Sequence, residues 1–243
     1  MCGVIGLVNK NFSKSFPTEL LRSMANEAQI RGQHATGAAV IHDNGYIAHN
    51  ILSVPASVFP VEEIAYGYNT RAAIVHCRYS TSDLSYNQPM IAMDRDNFQA
   101  EIALIHNGVV SQADPSAWKE TYGVDCYGRN DSEILLRLFE RGDHPLHVVP
   151  SSQACIAINA IEHEFCFWRN EQRPLYYAIT DDYIAVASTR DILLRSGAGT
   201  DDNIFDCEPC VDYSVILKES DNPLRLHTTG VRIPTDDLQR GIL

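Results

Sequence analysis

The strongest constraint on the fold is the chain's punctuation: short apolar runs separated by polar turns, with few stretches that carry a helical stripe. Residues 2–9 (CGVIGLVN) open the chain as an apolar run, the pattern of a buried strand. Residues 38–42 and 46–52 flank Asp43-Asn44-Gly45, a strong hairpin signal. Further strands are predicted at 71–79, 101–110, 154–162, 163–169, 174–180 and 183–188, with a last pair near 211–218 and 224–229. Loops are predicted at 31–37 (RGQHATG) and around Asn87-Gln88-Pro89.

Two longer stretches have helical spacing. In residues 18–30, Leu20, Leu21, Met24, Ala25 and Ala28 fall on one stripe behind Pro17-Thr18. Behind Asn130-Asp131-Ser132, a capping sequence, Ile134, Leu135, Leu138 and Phe139 share a face. A short helix is predicted at 190–196. Strand blocks with helices grouped between them predict a layered α+β domain, sheets packed against helices. No repeat or linker marks a boundary, so one domain over residues 2–243 is expected.

Charge excludes some partners. The formal net charge is −12 with no stripe of lysine or arginine, which argues against nucleic acid or an anionic membrane. No segment approaches the roughly 18 apolar residues needed to span a bilayer, and the N-terminus does not read as a secretory signal. A cytoplasmic location is expected. The seven cysteines, at 2, 77, 126, 155, 166, 207 and 210, are odd in number, which favours free thiols. Cys207 and Cys210 form a lone CxxC. A zinc site takes about four ligands and no second pair matches, so no metal is expected.

Four positions could carry chemistry. Removal of Met1 would leave Cys2 with a free α-amine, whose unperturbed pKa of ~7.7–8.0 makes it a built-in base for the thiol. The plain alternative is a small core residue opening a strand. Asn107 and Gly108 follow an apolar run; an Asn amide and a Gly N–H can hold an oxyanion, or the pair can form an ordinary turn. Arg78, on the same strand face as Ile74 and His76, suits a carboxylate, or lies on the surface; His76 is taken as structural. Asp131 can cap the following helix or pair with a ligand ammonium. As a set, a thiol, two oxyanion donors, an arginine and an aspartate describe an amino acid bearing an acyl group open to attack. Glutamine fits that description.

Across nearly its whole length the chain resembles the class II glutamine amidotransferases. MCGVIGLV is similar to the family's opening, RGQHATG at 31–37 to its arginine-glycine loop and HCRYST at 76–81 to its arginine strand. IHNGVV at 105–110 is similar to its Asn-Gly turn, and NDSE at 130–133 to its Asp-Ser-Glu helix start. The resemblance implies a four-layer αββα sandwich of the N-terminal-nucleophile hydrolase type. It implies Cys2 as nucleophile, Asn107 and Gly108 as oxyanion hole, Arg78 and Asp131 on the glutamine α-carboxylate and α-ammonium, and Arg31 organising the loop around Cys2. It implies no cofactor. The chain departs from the family at His34, where Asp is frequent, at Val75, where Gly is frequent, and at Val109, where a polar residue is common.

The reaction so implied is hydrolysis of glutamine to glutamate and ammonia. In that family the glutaminase is usually fused to a synthase or synthetase. This chain has about the length of the glutaminase alone and lacks a GxxxxGK[ST] loop, so a separate ammonia-accepting chain is expected. Two rivals use parts of the same set: an N-terminal-cysteine acylase, which does not call for the Arg78/Asp131 pair, and a binding module without turnover.

Overall fold

The opening apolar run folds as strand β1 (Gly3–Asn9), and all of its residues are buried. In this computed structural model, which describes residues 1–65, 69–80, 86–218 and 224–230, four more strands precede the middle of the chain. They are β2 (Ala35–His42), β3 (Ile47–Leu52), β4 (Thr70–Arg78) and β5 (Met90–Met93). Then come β6 (Ala100–His106), β7 (Ala154–Asn159), β8 (Glu164–Arg169), β9 (Tyr176–Ile179) and β10 (Tyr183–Ala187). The last are β11 (Ile204–Asp206), β12 (Val211–Ile216) and β13 (His227–Gly230). The helices are α1 (Thr18–Ala28), α2 (Trp118–Tyr122), α3 (Ser132–Glu140), α4 (Pro145–Val148) and α5 (Arg190–Arg195).

Among the described residues the strands form two antiparallel sheets, ordered β11-β9-β10-β1-β4-β2-β3 and β13-β12-β8-β7-β6-β5. Period-two alternation sorts their side chains into three apolar layers. Val4, Val8, Ile74, Ile105, Ile156, Phe165 and Phe167 meet between the sheets. Ile5, Leu7, Val40 and Val75, on the opposite face of the first sheet, pack on Leu21, Met24 and Leu193 of α1 and α5. Leu104, Cys155, Ala157 and Trp168 of the second sheet pack on Ile134, Leu135 and Leu138 of α3. The chain is therefore a four-layer αββα sandwich. Both faces of β1 are covered, which is why its sequence reads as a continuous apolar run rather than an alternation.

The structure corrects several expected boundaries. β2 begins at Ala35, inside the expected 31–37 loop, because Ala35–Gly37 pair with Arg78–His76 of β4. β6 ends at His106 instead of continuing to 110, and beyond it only an isolated bridge joins Val109 to Ser152. The helix expected over 18–30 closes at Ala28 and runs into one 3₁₀ turn, Gln29–Arg31. β5, β11, α2 and α4 were not anticipated; each has five residues or fewer, too few to display a period. Thr81 of HCRYST and residues 231–243 of the expected domain lie outside the described residues. No described helix is long and apolar enough to cross a membrane.

Two glycines fix β1 between its neighbours. A Cβ on Gly3 would lie 2.6 Å from the Ala28 carbonyl oxygen, so the C-terminus of α1 abuts the start of the strand. A Cβ on Gly6 would lie 2.6 Å from Phe165 Cζ, so a ring of the second sheet seats directly on the first. Gly6→Ala should cost roughly 1–3 kcal/mol by overpacking, and Phe165→Leu should relieve part of that cost. Denaturant melts of the two single variants and the double variant check this: a double variant cheaper than the sum of the singles is expected.

Candidate active site

Cys2 immediately precedes β1, a central strand of the first sheet, and is partly exposed. The register pairs Gly3 with Cys77 and Val4 with His76, so its continuation sets Cys2 beside Arg78, the last residue of β4. Arg31 Nε donates to the Cys2 carbonyl at 3.0 Å, tying the turn after α1 to the start of β1. Burial lowers the pKa of Arg31, an effect opposed by the Cys2 side chain and reinforced by Arg173. Arg31 lies next to Cys2 without entering the cavity described below.

The 31–34 segment grips the end of β4. A Cβ on Gly32 would fall 2.3 Å from the Arg78 carbonyl carbon, so only glycine permits that approach. The His34 N–H donates to Arg78 O at 3.0 Å, and His34 Nδ1 accepts the Ser80 N–H at 2.8 Å. His34 thus supplies an acceptor as a carboxylate would, while its ring packs on Tyr79 with centroids 5.1 Å apart. Arg78 Nη1 donates to the Tyr86 carbonyl and, at 2.8 Å, to Asn87 Oδ1.

The second sheet contributes the turn after β6. A Cβ on Gly108 would sit 1.8 Å from Ser152 O and 2.4 Å from His106 Nε2. Its φ is not positive, so close packing rather than the backbone of a tight hairpin turn requires glycine here. Val109 N donates to Ser152 Oγ at 2.9 Å, and Asn107 N to Ala154 O at 2.9 Å. The Asn107 side chain is 2% exposed, and its Nδ2 has no hydrogen-bond partner among the described residues.

Asp131 does not cap α3 through its side chain. Its own backbone is already helical (φ −61°, ψ −20°), and no capping bond forms, whereas a capping residue normally stays extended. Asn130 Oδ1 accepts the Ser132 N–H instead, at 3.0 Å. The Asp131 carboxylate turns to the segment after the Asn-Gly pair, where Oδ2 accepts Val110 N at 2.6 Å and Ser111 N at 3.0 Å.

Sequence reasoning passed over a buried polar network beneath these groups. His106 Nε2 faces the Ser152 carbonyl at 2.9 Å, an acceptor only, so Nε2 carries the proton. Nδ1 then accepts from Ser132 Oγ at 2.9 Å, and that hydroxyl accepts Gln88 Nε2 at 3.1 Å. Gln88 Oε1 closes the set by accepting His106 N at 2.6 Å. The network joins the loop before β5, the end of β6 and the first turn of α3. IHNG and NDSE contain His106 and Ser132, but nothing in either string says that the two meet.

Cys2, Arg78, Gly108 and Asp131 line one cavity of about 530 Å³, together with His76, Gln88, His106 and Ser132. Asn107 is not part of its wall. Burial holds His106 neutral by lowering its pKa, and lowers that of His76 to about 3 with the help of the Arg78 charge. The thiol of Cys77, which pairs with Gly3 across the sheet, is pushed up to about 12 by burial and by Cys2. Among the described residues no cluster of three or more His, Cys, Asp or Glu could hold a metal; Cys207 and Cys210 are both free thiols.

The two histidines set an expected pH dependence. Unfolded imidazoles titrate near 6.5; a lower folded-state pKa gives stability that is full above that value and is lost as pH falls toward the folded pKa. Unfolding free energy should therefore drop between pH 6.5 and 5, by on the order of 1 kcal/mol per pH unit for His76. Denaturant titrations across that range check it, and His76→Gln should flatten the slope. An identical slope in the variant would mean that the fold does not hold His76 neutral.

The chain's relatives agree with this architecture. No protein-family model matches it. In sequence it is similar to the glutamine–fructose-6-phosphate aminotransferase (isomerizing) of Oceanobacillus iheyensis, 23% identical over 206 residues that cover 80% of this chain and 33% of the relative. The chain thus spans about a third of the length of the curated relatives it matches first. In fold it is similar to the glutamine phosphoribosylpyrophosphate amidotransferase of B. subtilis, with a TM-score of 0.67 and 21% identity over 93% of this chain and 49% of that one. A glutamine aminotransferase class-II domain protein of Silicibacter pomeroyi matches 93% of this chain with 98% of its own, at a TM-score of 0.51 and 11% identity. In sequence over four fifths of the chain, and in fold over nearly all of it, the chain is thus similar to class II glutamine amidotransferase domains.

Proposed function

We propose that residues 2–243 act as one glutaminase domain that releases ammonia from the glutamine side chain through a Cys2 thioester. The observation that carries this reading is the shared cavity. Cys2, an arginine, an aspartate and a glycine line one space, although they come from four separate segments of the chain. Removal of Met1 gives Cys2 a free α-amine. That amine takes the thiol proton as sulfur attacks the amide carbon, and the Asn107 amide and Gly108 N–H receive the oxyanion. The α-amine returns its proton to the departing ammonia, and water then hydrolyses the thioester to glutamate.

Arg78 binds the α-carboxylate and Asp131 the α-ammonium. The Val110 and Ser111 amides hold the Asp131 carboxylate in place by Oδ2, and the ammonium meets its other oxygen. Arg31 acts indirectly, by fixing the Cys2 carbonyl. The Asn107 amide, buried without a partner, is a donor whose desolvation is offset only when an acceptor arrives, and an oxyanion is such an acceptor. No cofactor takes part. The ammonia passes to an acceptor synthase or synthetase on a separate chain. Support for an acceptor comes from the relatives, whose names join glutamine to a second substrate and whose length is two to three times that matched.

The active protein is expected to lack Met1, because a retained methionine converts the Cys2 amine into an amide with no basicity. Intact-mass measurement of an active preparation tests this, and full activity with Met1 attached would remove the base from the mechanism. Chemistry and binding should also separate by residue. Asn107→Ala should lower kcat by roughly 10²–10³ with little change in KM. Arg78→Ala should chiefly raise KM, losing about 1.5–3 kcal/mol of charge-assisted binding. Steady-state glutamate release by both variants decides the assignment; an unchanged kcat in Asn107→Ala would withdraw the oxyanion role.

A further inference from the structure

We propose that His76 is a positioning residue that seats the water molecule which hydrolyses the Cys2 thioester. The inference rests on the reading of Cys2 as nucleophile and extends it to a residue which sequence reasoning left as structural.

Placement comes first. Along β4, Ile74 belongs to the layer between the sheets, so His76 and Arg78 share that face; along β1, Val4 belongs to the same layer. The pairing of Val4 with His76 sets His76 one step deeper into the sandwich than Arg78 and Cys2. His76 is only 1% exposed, yet it lines the cavity that Cys2 lines. It therefore forms floor beneath the nucleophile.

Its hydrogen bonding is unfinished. Neither Nδ1 nor Nε2 has a hydrogen-bond partner among the described residues. The His106 carbonyl lies close enough to act on its charge, without the geometry of a bond. His106, equally buried, is the contrast: both of its nitrogens are engaged, by Ser132 and by the Ser152 carbonyl. One buried histidine thus serves as a tie, and the other lines the cavity with both of its ring nitrogens buried and unpaired. Burial and the neighbouring Arg78 keep His76 uncharged, so it is not a proton donor or acceptor at neutral pH. A neutral imidazole still offers one N–H donor and one nitrogen acceptor.

The reaction leaves one participant without a holder. Arg78 and Asp131 take the two ends of the amino acid, and Asn107 and Gly108 take the oxyanion. The hydrolytic water must still be aimed at the acyl carbon, and an acceptor nitrogen beneath Cys2 can hold one of its O–H groups. The water oxygen then bonds to the thioester carbon, the carbon–sulfur bond breaks, and the water's proton passes through the Cys2 α-amine to the departing sulfur. The products are glutamate and the free thiol, with no other reactant consumed.

The test uses the full chain with Met1 removed, glutamine and added hydroxylamine, which attacks the thioester as its own nucleophile. Glutamate and γ-glutamyl hydroxamate are measured together, with intact mass after rapid quenching. His76→Phe fills the site without offering an acceptor. It should slow glutamate release about tenfold or more, as loss of orientation does, leave hydroxamate formation near the wild-type rate, and accumulate acyl-enzyme. His76→Gln, which keeps an acceptor and a donor, should restore the wild-type ratio of the two products. Should His76→Phe not fold, His76→Asn, whose shorter amide falls short of the same point, is read on the same ratio. A product ratio unchanged from wild type in the folded variant overturns the proposal. Wild-type protein that yields neither product overturns the glutaminase reading itself, a different result, and this inference with it.

Discussion

β1 has no free face, and the positions of the groups that the first sheet brings to the cavity follow from that. Gly3 admits the carbonyl end of α1 on one side, and Gly6 admits the Phe165 ring on the other. A strand gripped in this way has no register to slip into, since a shift by one residue would exchange the contents of its two apolar layers. Cys2 immediately precedes this strand, so its place is set by the core rather than by a loop. Arg31 adds the second restraint by holding the Cys2 carbonyl from the turn after α1.

The cavity lies where the two sheets meet at one end, so each sheet contributes different chemistry. The first brings Cys2, His76 and Arg78, all fixed by strand pairing. The second brings the turn after β6 and the first turn of α3, which strand pairing does not fix. There the buried set of Gln88, His106, Ser132 and Ser152 does the work of a ladder, with each bond made and each member satisfied. Such a network specifies one arrangement, because breaking any bond strands a buried polar atom at a cost of about 1–3 kcal/mol. The carboxylate of Asp131 extends it to Val110 and Ser111 and so links the helix start to the segment after Gly108.

What could be read from the sequence follows from which features have a period. β1, β4, β6 and the β2–β3 hairpin were legible because alternation or a turn dipeptide announces them, and α1 and α3 because their stripes run over two turns or more. β5, β11, α2 and α4 were not, being too short to repeat. Residues that line the cavity were legible where a side chain's chemistry suffices: a cysteine at position 2 and an arginine at a strand end. The role of His106 was hidden because it depends on Ser132 and Ser152, 26 and 46 residues away in sequence. Asp131 was half legible: the helix start was right, but the direction of its carboxylate depends on a backbone already helical at that residue.

Seven thiols occur in the chain, and burial separates them. Desolvation raises the pKa of Cys77, Cys126, Cys155, Cys166, Cys207 and Cys210, since a thiolate in an apolar setting lacks the solvation that water gives it. Four of them, Cys77, Cys155, Cys166 and Cys207, also belong to the apolar layers that hold the sandwich together. There a protonated thiol packs as a small apolar group. Cys2 alone of the seven lines the cavity. Exposure of a thiol in this fold is thus a matter of address. The same core that buries Cys77, Cys155, Cys166 and Cys207 leaves Cys2, just ahead of β1, partly exposed at the cavity.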